Sequence, residues 1–194
     1  MSTLLLWLKG PLQSWAGGEG YAHRPTDDYP TKSGVIGLVA GALGRSRQAD
    51  SSDLAGLRFG VKTLREPKRL TDFQTMGERA PGKPNPLELK DYLMDAGFLV
   101  ALEGDRSLLE QCRDAIHHPV FMPYLGRRAC PPAGPIQTRL TDDSLSDALL
   151  TVPGGVAHVE SDSGRLWRAD QPGGARRFHR RRETDAFPLD SVAA

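Results

Sequence analysis

The chain opens with a short apolar run. Leu4 to Leu8 is bounded by Gly10-Pro11, and an apolar run between turn residues predicts a buried strand. From Gly10 to Pro30 the chain is rich in glycine and proline, which predicts a long connection. Because connections of that length inside a compact domain are usually functional or disordered, this segment is a candidate for function.

Apolar positions between residues 31 and 44 recur with the period of a helix. The spacing i, i+3, i+4 and i+7 predicts one helix face on the core. Internal glycines lower its helix propensity and are predicted to permit close approach to a sheet or a partner. Thr31 or Ser33 suits the N-cap, and Gly44 suits the C-terminal stop. The apolar positions are Ile36, Val39, Ala40 and Leu43.

Two further strands and a second helix follow. Apolar and polar residues alternate over 57–62, which predicts a half-exposed strand with Arg58 and Lys62 on its outer face. The run Phe98 to Leu102 is continuously apolar, as expected of a central strand. A helix with one apolar side is predicted from about Arg106 to His117.

A polar segment, Thr71 to Leu93, lies between those two strands. Its apolar content is too low for a core of its own, so it is predicted to protrude as an arm. With one more strand in the C-terminal half, the element order predicts an α+β fold, a ferredoxin-like βαββαβ layer with the layout of an RNA-recognition motif. Residues 1–140 would form this domain, and 141–194 an extension that completes or flanks it.

Composition then narrows the class of protein. Of 194 residues, 39% are hydrophobic and 25% are charged, which is ordinary for a soluble globular protein. No apolar run approaches the roughly 20 residues of a membrane span. The two cysteines, Cys112 and Cys130, argue against a disulfide scaffold and a structural zinc site. A reduced cytoplasm fits best, and neither a metal nor another cofactor is predicted.

Charge is distributed unevenly along the chain. The net charge is only +1, with 25 Lys+Arg against 24 Asp+Glu. A basic run occupies residues 176–182, and the pair Arg127-Arg128 lies in a Gly/Pro-rich loop. The basic run is either a footprint on a nucleic-acid backbone or a solvated face. Acidic residues gather in one late stretch, at Asp142, Asp143, Asp147, Glu160 and Asp162.

The first candidate site is the start of the first helix. A helix N-terminus presents unpaired N–H groups and a partial positive charge, which suits a phosphate. Lys32, the Ser33 hydroxyl and an approaching Arg24 would complete this anion site, and Gly34 would leave room for the ligand. An ordinary capped helix explains the same residues equally well. The spacing of a nucleotide P-loop is absent.

The second candidate is the loop that begins at Tyr124. Gly126 beside Arg127 and Arg128 offers close backbone approach and bidentate phosphate contacts, and Tyr124 offers a face for stacking. A solvated surface loop is the alternative interpretation. In the polar arm, Met76 is either a wedge between bases or a packing contact with a partner.

Other polar residues of the arm have the same two interpretations. Lys90, with Arg79 and Lys83, is either a nucleic-acid contact or a solvated charge.

Signals for catalysis are poor. His117-His118 precedes a proline at a helix end, and His158 and His179 lie in unrelated segments. No HExxH, paired-cysteine or Gly-x-Ser-x-Gly pattern occurs. A metal-independent ribonuclease needs only a base, an acid and a charge stabiliser, for instance His, Tyr and Lys. That activity is therefore the alternative to a non-catalytic binding protein.

Six short segments carry an ordered likeness to a known family. They are Gly10 to Trp15, Arg24 to Thr26, Tyr29 to Leu38, Leu70 to Met76, Asp91 to Ala96 and Tyr124 to Pro131. Together they resemble the CasD family of type I-E Cascade subunits, within the repeat-associated RNA-binding (RAMP) superfamily. The likeness runs from the first strand to about residue 135 and is loose after residue 140.

This resemblance implies a non-catalytic, RNA-recognition-like protein with a β-hairpin thumb at about 71–93. Such a subunit caps one end of the Cascade backbone and holds the 5′ handle of the guide RNA (crRNA). Its thumb reaches the adjoining backbone subunit and helps to kink the RNA, and the large subunit docks nearby. Target DNA is involved only indirectly. Related subunits of type I-C systems cut precursor RNA, so the ribonuclease alternative remains.

The residues and the resemblance indicate one set of RNA contacts. A purely protein-bridging subunit is a third interpretation, which explains the near-neutral charge and predicts assembly without guide RNA.

Trp15 is predicted to anchor the core or a loop rather than to stack on a base. The predicted RNA-binding residues are Arg24, Lys32, Ser33, Gly34, Met76, Lys90, Tyr124, Gly126, Arg127 and Arg128.

Overall fold

A computed structural model gives the fold. It describes residues 1–15, 22–75 and 87–161 in full, and the strands at 166–173, 177–183 and 187–188 by their backbone. The helices are α1 (Lys32–Ala42), α2 (Ser52–Ala55), α3 (Arg106–His117) and α4 (Leu145–Leu150). The strands are β1 (Ser2–Lys9), β2 (Leu12–Gln13), β3 (His23–Arg24), β4 (Arg58–Arg65), β5 (Lys68–Thr75), β6 (Leu87–Met94), β7 (Gly97–Gly104), β8 (Gln137–Thr141), β9 (Val156–Val159), β10 (Leu166–Gly173), β11 (Arg177–Glu183) and β12 (Phe187–Pro188).

A six-stranded antiparallel sheet organises the protein. Its order is β12-β9-β4-β7-β1-β8. Both apolar runs of the sequence lie at its middle, since Leu6 of β1 pairs with Val100 of β7. The predicted strands at 4–8 and 98–102 are therefore confirmed, and the order of the sheet explains why both are buried along most of their length.

The sheet has a hydrophobic core on each face. Side chains alternate between the faces of a strand, so Leu4 and Leu6 pack with α1 and α3 in the larger core. Leu5 lies on the opposite face, against α4 in the smaller core. Because both faces are covered, the run 4–8 is continuously apolar rather than alternating.

Local sequence signals place α1 correctly. Thr31 is its N-cap, and the Thr31 hydroxyl accepts a hydrogen bond from the Gly34 N–H at 3.2 Å. The helix ends at Ala42, and Gly44 follows with φ +78°, a conformation that favours glycine after a helix. Of the two predicted N-cap residues, Thr31 is the one that caps α1, and the predicted stop at Gly44 is confirmed.

The second predicted helix is confirmed as α3. The Asp105 carboxylate caps it by accepting a hydrogen bond from the Leu108 N–H at 3.2 Å. Leu109, Cys112 and Ile116 form its buried side. This is the amphipathic pattern from which the helix was predicted.

The prediction of a half-exposed strand at 57–62 is wrong. β4 lies between β7 and β9, and α4 covers the face that the sequence left open. Lys62 is completely buried, and its ammonium donates to the carbonyl oxygens of Leu149 (3.1 Å) and Val152. These carbonyls lie at the C-terminal end of α4, where a cation is favourable. Arg58 remains at the surface, in an ion pair with Glu103 at 2.5 Å.

The polar insert forms an antiparallel hairpin. β5 pairs with β6 from Lys68 opposite Met94 to Thr75 opposite Leu87. β6 also pairs with β2 and β3 in a second sheet. Its inner end is part of the core, because Tyr92 and Leu93 are buried. The insert therefore protrudes only in part, since its base is packed on the domain.

The long connection over 10–30 contains β2 and β3. Trp15 lies between these strands and is fully buried, as predicted for an anchoring residue. Its backbone N–H donates to the Thr26 hydroxyl at 2.8 Å, and its carbonyl accepts from the Asp27 N–H at 2.8 Å. These bonds hold both sides of the connection against the core.

Residues after 140 contribute to the same central sheet. α4 covers its second face, and β9 and β12 extend its edge beyond β4. β10 and β11 form a separate antiparallel ribbon, and β10 contacts α1 and α2. Within the described ranges, no helix is long and apolar enough to cross a membrane.

Candidate nucleic-acid interface

Lys32, which the sequence predicted as a phosphate contact, lies in a buried ion pair with Glu160. Its side chain is only 2% exposed, and its ammonium lies 2.9 and 3.1 Å from the two carboxylate oxygens of Glu160. The same carboxylate accepts a hydrogen bond from the Phe59 N–H at 3.0 Å. A buried charge that is already matched by a carboxylate presents no cation to a ligand outside. The predicted direct contact therefore lacks support in this geometry.

Gly34 serves packing rather than ligand access. A Cβ atom at this position would lie 2.8 Å from the Trp15 ring and 2.9 Å from the Thr31 hydroxyl. The space that the missing side chain leaves is thus filled from within the protein. Ser33, beside it, is half-buried and lines the groove described below.

Arg24 and Lys90 lie together on the second sheet, where they are register partners. Both form ion pairs with the buried Glu88: Arg24 through its Nε, and Lys90 at 2.8 Å. The Lys90 hydrogen bond, helped by the charges of both cations, lowers the pKa of Glu88 from its ordinary value. Lys90 also donates to the Gln74 side chain at 2.6 Å. Both predicted RNA contacts therefore have an acidic partner within the chain, although the Arg24 side chain remains 51% exposed.

Arg127 holds the second candidate loop to the sheet. Its guanidinium donates to the carbonyl oxygens of Arg24 (2.8 Å), Pro25 (3.4 Å) and Asp91 (3.4 Å). It also lies 5.3 Å from the centre of the Tyr92 ring. These contacts use the donors that bidentate phosphate binding would require.

Gly126 is required by the turn itself. Its φ is +84°, and a Cβ atom would lie 1.8 Å from the Ser14 carbonyl oxygen. The loop is further fixed where the Ser14 N–H donates to the Leu125 carbonyl at 3.1 Å. Gly126 therefore lets the loop pass close to the end of β2, and Arg128 emerges beyond it.

A groove of about 710 Å³ runs along the outer side of α1. Its floor is α1, one wall is the connection from α1 to α2, and the other is the segment from Phe121 to Arg128. The groove joins three predicted site residues to residues that the sequence did not single out. Its main lining residues are Ser33, Gly37, Gly41, Arg47, Phe121, Met122, Tyr124 and Arg128.

Two glycines keep the floor of this groove open. Gly37 and Gly41 are four residues apart, so they share one face of α1. A Cβ atom on either would meet nothing within 4 Å, so internal packing does not require them. Each costs about 0.8–1 kcal/mol of helix propensity relative to alanine. The open floor fits the predicted close approach of a partner to this helix.

The rim of the groove carries two exposed arginines, Arg47 and Arg128. Neither has a hydrogen-bond or ion-pair partner among the residues that the structure describes. Arg45, close by in the chain, is paired with Asp53 at 2.5 Å. Among the described residues that line the groove, the arginines without a partner are therefore Arg47 and Arg128.

Large apolar side chains are exposed at the same rim. Phe121 is 57% and Met122 is 82% exposed. Their segment is tied to the end of α1, because the Val120 N–H donates to the Ala42 carbonyl at 2.9 Å. Arginines beside exposed aromatic and apolar side chains are the combination that binds unstacked bases and their phosphates.

Among the described residues there is neither a metal-binding cluster nor a thiol with a lowered pKa. In the described parts of the chain, no three His, Cys, Asp or Glu residues are grouped to hold a metal ion. Burial raises the pKa of the Cys112 thiol to about 11 and also raises the pKa of Cys130. Because the thiolate is the reactive form, both cysteines are expected to be inert.

Comparison with known proteins identifies the family. The model of the family described as "CRISPR-associated protein (Cas_Cas5)" matches residues 3–187. The chain belongs to this family. The "CRISPR system Cascade subunit CasD" of Escherichia coli (strain K12) is 33% identical over 156 residues, which are 70% of this chain and 69% of that protein. The predicted resemblance to CasD is thus confirmed.

Solved structures agree with this Cas5 assignment. One described as "Crystal structure of Cas protein" has a TM-score of 0.78 and 38% identity, and the match covers 96% of this chain and 94% of the other. A chain of a "CRISPR RNA-guided surveillance complex" has a TM-score of 0.77 and 26% identity, over 96% and 89% of the two chains. The mixed α/β architecture with antiparallel sheets is therefore that of Cas5 structures.

Sequence reasoning found only part of this Cas5 groove. Ser33, Tyr124 and Arg128 were predicted and line it, whereas Met76 lies outside the described residues. Arg47 and Met122 were missed because their exposure depends on how two distant segments meet across α1. The available signal was the pair of glycines inside α1, which weakens the helix without an evident local reason.

Proposed function

We propose that this Cas5-family chain is a non-catalytic subunit of a Cascade surveillance complex that binds the 5′ handle of the guide RNA in the α1 groove. The observation that carries the proposal is the meeting of two available arginines, exposed apolar side chains and an open glycine face in one groove. Similarity to CasD supports the subunit assignment.

Each part of the groove suits single-stranded RNA. Arg47 and Arg128 would take phosphates, and the Ser33 hydroxyl would add a hydrogen bond at the start of α1. Phe121 and Met122 would pack on a base, while the glycine floor lets the strand approach the helix closely. The predicted contacts Arg24, Lys32, Gly34, Lys90, Gly126 and Arg127 are proposed instead to build and hold the site.

The proposed site lies on the helical side of the sheet. In an RNA-recognition motif the open sheet face carries the bases, but here α4 covers that face and Lys62 is buried beneath it. The proposal of a ferredoxin-like layer itself is supported by the chain order β1-α1-β4-β7-α3-β8 and the sheet order β4-β7-β1-β8. The proposal thus combines the topology of an RNA-recognition motif with a different binding surface.

The β5–β6 hairpin is proposed to be the thumb that reaches the adjoining backbone subunit. It is inserted between β4 and β7, as the thumb hypothesis requires. Phe73 is 66% exposed and Leu87 is 53% exposed on the hairpin, which supports a protein contact there. The large subunit is proposed to dock near the same end of the complex, with target DNA involved only indirectly.

Replacing the groove arginines tests the RNA site. The Arg47→Ala/Arg128→Ala variant of the full chain should bind handle RNA about 100-fold more weakly or worse, since each charged contact contributes about 1.5 kcal/mol or more and about 1.4 kcal/mol is a tenfold change. The slope of log affinity against log salt should fall by about 1.4, because two phosphate contacts to a single strand are lost. Filter binding over a salt series measures both quantities.

Arg139→Ala is the matched control. Arg139 is exposed and also has no partner among the described residues, but it pairs in register with Leu5 on the α4 side of the sheet. This variant should bind handle RNA normally. A folded groove variant with normal affinity and salt slope would overturn the proposed site.

A metal-independent ribonuclease is the second candidate, and one contact favours it. The Tyr29 ring stacks on His158 at 4.3 Å between centroids, near the Lys32–Glu160 pair. Tyrosine, histidine and lysine are residue types that such an enzyme uses. However, Tyr29 is only 6% exposed, and the lysine is held by Glu160.

Cleavage of repeat RNA distinguishes the two candidates. The full chain, incubated with repeat RNA in the presence of chelator, should leave the RNA intact. In cells that co-express the complex, guides with a uniform 5′ handle should disappear when only the separate processing nuclease is deleted. Correctly cut guides without that nuclease, lost again in a Tyr29→Phe variant, would make this chain the ribonuclease.

A purely protein-bridging subunit predicts a different result. Co-purification of the Cascade proteins would then be as efficient without a guide transcript as with it. We expect assembly around this chain to fall when the guide is absent.

A further inference from the structure

The basic run of the sequence lies, from Arg177 on, in strand β11. β10 and β11 pair in antiparallel register, and we refer to residues 166–173 and 177–183 as the basic ribbon. Seven residues of β11 include four arginines and one histidine, with a single acid, Glu183. In the register, Arg168 is directly opposite Arg181, and Trp167 is opposite Arg182.

The backbone register makes two arginines, Arg168 and Arg181, direct partners. Like charges at directly opposite positions disfavour an antiparallel pair, and a two-stranded ribbon is only marginally stable by itself. A bound polyanion would offset such a pairing of like charges.

The location of the ribbon indicates which polyanion. β10 contacts α1 and α2, and the groove is lined by α1 and by the connection between these two helices. The ribbon and the groove thus adjoin the same two helices. An RNA strand held in the groove would present its neighbouring phosphates to the ribbon at a high effective concentration.

We propose that the basic ribbon is a second RNA-binding element, which takes backbone phosphates of the guide RNA next to the α1 groove. The proposal rests on the proposed function of the groove and adds a separate set of contacts to it. The groove takes the handle, and the ribbon contacts the part of the guide that continues from it.

Two RNA lengths test the ribbon against the groove. The free full-length chain is titrated with handle RNA and with handle-plus-spacer RNA over a salt series. In a second experiment, the same variants are co-expressed in the Cascade complex, and the guide RNA that the complex retains is measured. Arg168→Gln/Arg181→Gln should weaken binding of the longer RNA about tenfold. Its salt slope should fall by about 1.4, because two phosphate contacts are lost. Binding of the handle alone should not change, and Arg139→Gln should behave like the unmodified chain.

A stability measurement shows that the loss is not caused by unfolding. Because like charges at directly opposite positions disfavour an antiparallel pair, the double variant should melt at the same or a slightly higher temperature at low salt. Removal of a structural arginine pair would instead lower the melting temperature, and that result would overturn the proposal.

The remaining outcomes separate this proposal from the proposed function. If the ribbon variant binds both RNAs normally while the groove variant binds neither, the ribbon proposal is wrong and the groove stands. If the unmodified chain and the complex do not retain the handle, both fail. If the ribbon variant keeps guide RNA in the complex but loses only target DNA, the ribbon is a DNA contact and the RNA proposal is overturned.

Discussion

Arg127 and Arg128 are adjacent in the chain but have opposite surroundings. Arg127 belongs with Arg24, Lys32 and Lys90, which we call the inner cations because carboxylates or carbonyls within the chain already hold them. Arg128 and Arg47 are the groove cations, which have no such partner in the described residues. Basic residues therefore indicate a nucleic-acid site only where the fold leaves their charge unmatched.

The largest effect is expected at an inner cation. Glu160→Ala removes the carboxylate that pairs with the buried Lys32 ammonium and that accepts a hydrogen bond from the Phe59 N–H. Loss of one partner of a buried pair costs about 3–5 kcal/mol. Urea unfolding should show a decrease of this size in the free energy of unfolding.

The double variant Lys32→Met/Glu160→Gln is the matched control for that measurement. It removes the charge and its partner together, so much of the lost stability should return. A decrease below about 1 kcal/mol for Glu160→Ala would show that Lys32 finds solvent, as expected of a surface salt bridge. The charge of Lys32 would then be accessible to a ligand, as the charges of Arg47 and Arg128 are.

The adjacent arginines should respond differently to alanine. Arg127→Ala removes three hydrogen bonds to carbonyl oxygens and should lower the free energy of unfolding by about 1–3 kcal/mol. Arg128→Ala should leave stability within about 0.5 kcal/mol, as for other surface positions, and should weaken handle binding. Chemical denaturation measures the stability of both variants, and RNA titration measures their affinity for the handle. An equal loss of stability in both variants would show that Arg127 and Arg128 do not differ in role.

A smaller effect of opposite sign is expected at the groove floor. Gly37→Ala should raise the free energy of unfolding by up to about 0.8–1 kcal/mol, because alanine is the better helix former and its Cβ meets no atom. The same methyl group should weaken handle binding by narrowing the approach to α1. A variant that is more stable and binds RNA normally would contradict the role given to the floor.

The smallest effect concerns acid stability at Glu88. Its pKa is lowered first by the Lys90 hydrogen bond, so the ionised form stabilises the fold above the ordinary pKa of about 4.3. That contribution is lost as pH falls below this value and through the folded-state pKa. Thermal melting from pH 6 to pH 3 should show a shallower acid decline for Glu88→Gln than for the unmodified chain. If the melting temperatures of both proteins fall equally with pH, a group other than Glu88 causes the loss of stability in acid.

Local sequence patterns predicted those strands and helices that are specified by interactions between neighbouring residues. Strand β1, helix α1 with its Thr31 cap, and helix α3 follow from apolar period and capping chemistry within a few residues of each position. The segments that resemble CasD are likewise short and ordered along the chain. Such signals survive in a single sequence because the interactions behind them join near neighbours.

Contacts between residues far apart in the chain decided which faces and side chains are buried. Alternation over 57–62 indicated an exposed face because the covering helix α4 comes much later in the chain. Lys32 was assigned to a phosphate because its partner Glu160 is 128 residues away. Gly34 and Gly37 look alike in sequence, but only the first lies against the Trp15 ring.

The sequence by itself therefore determined the family, the main strands and helices, and the presence of basic residues around α1. Only the tertiary structure decided which of those residues carry a charge that a ligand can reach. The physical reason is that a cation's availability depends on burial and on the nearest acceptor, and both are set by segments far apart in the chain.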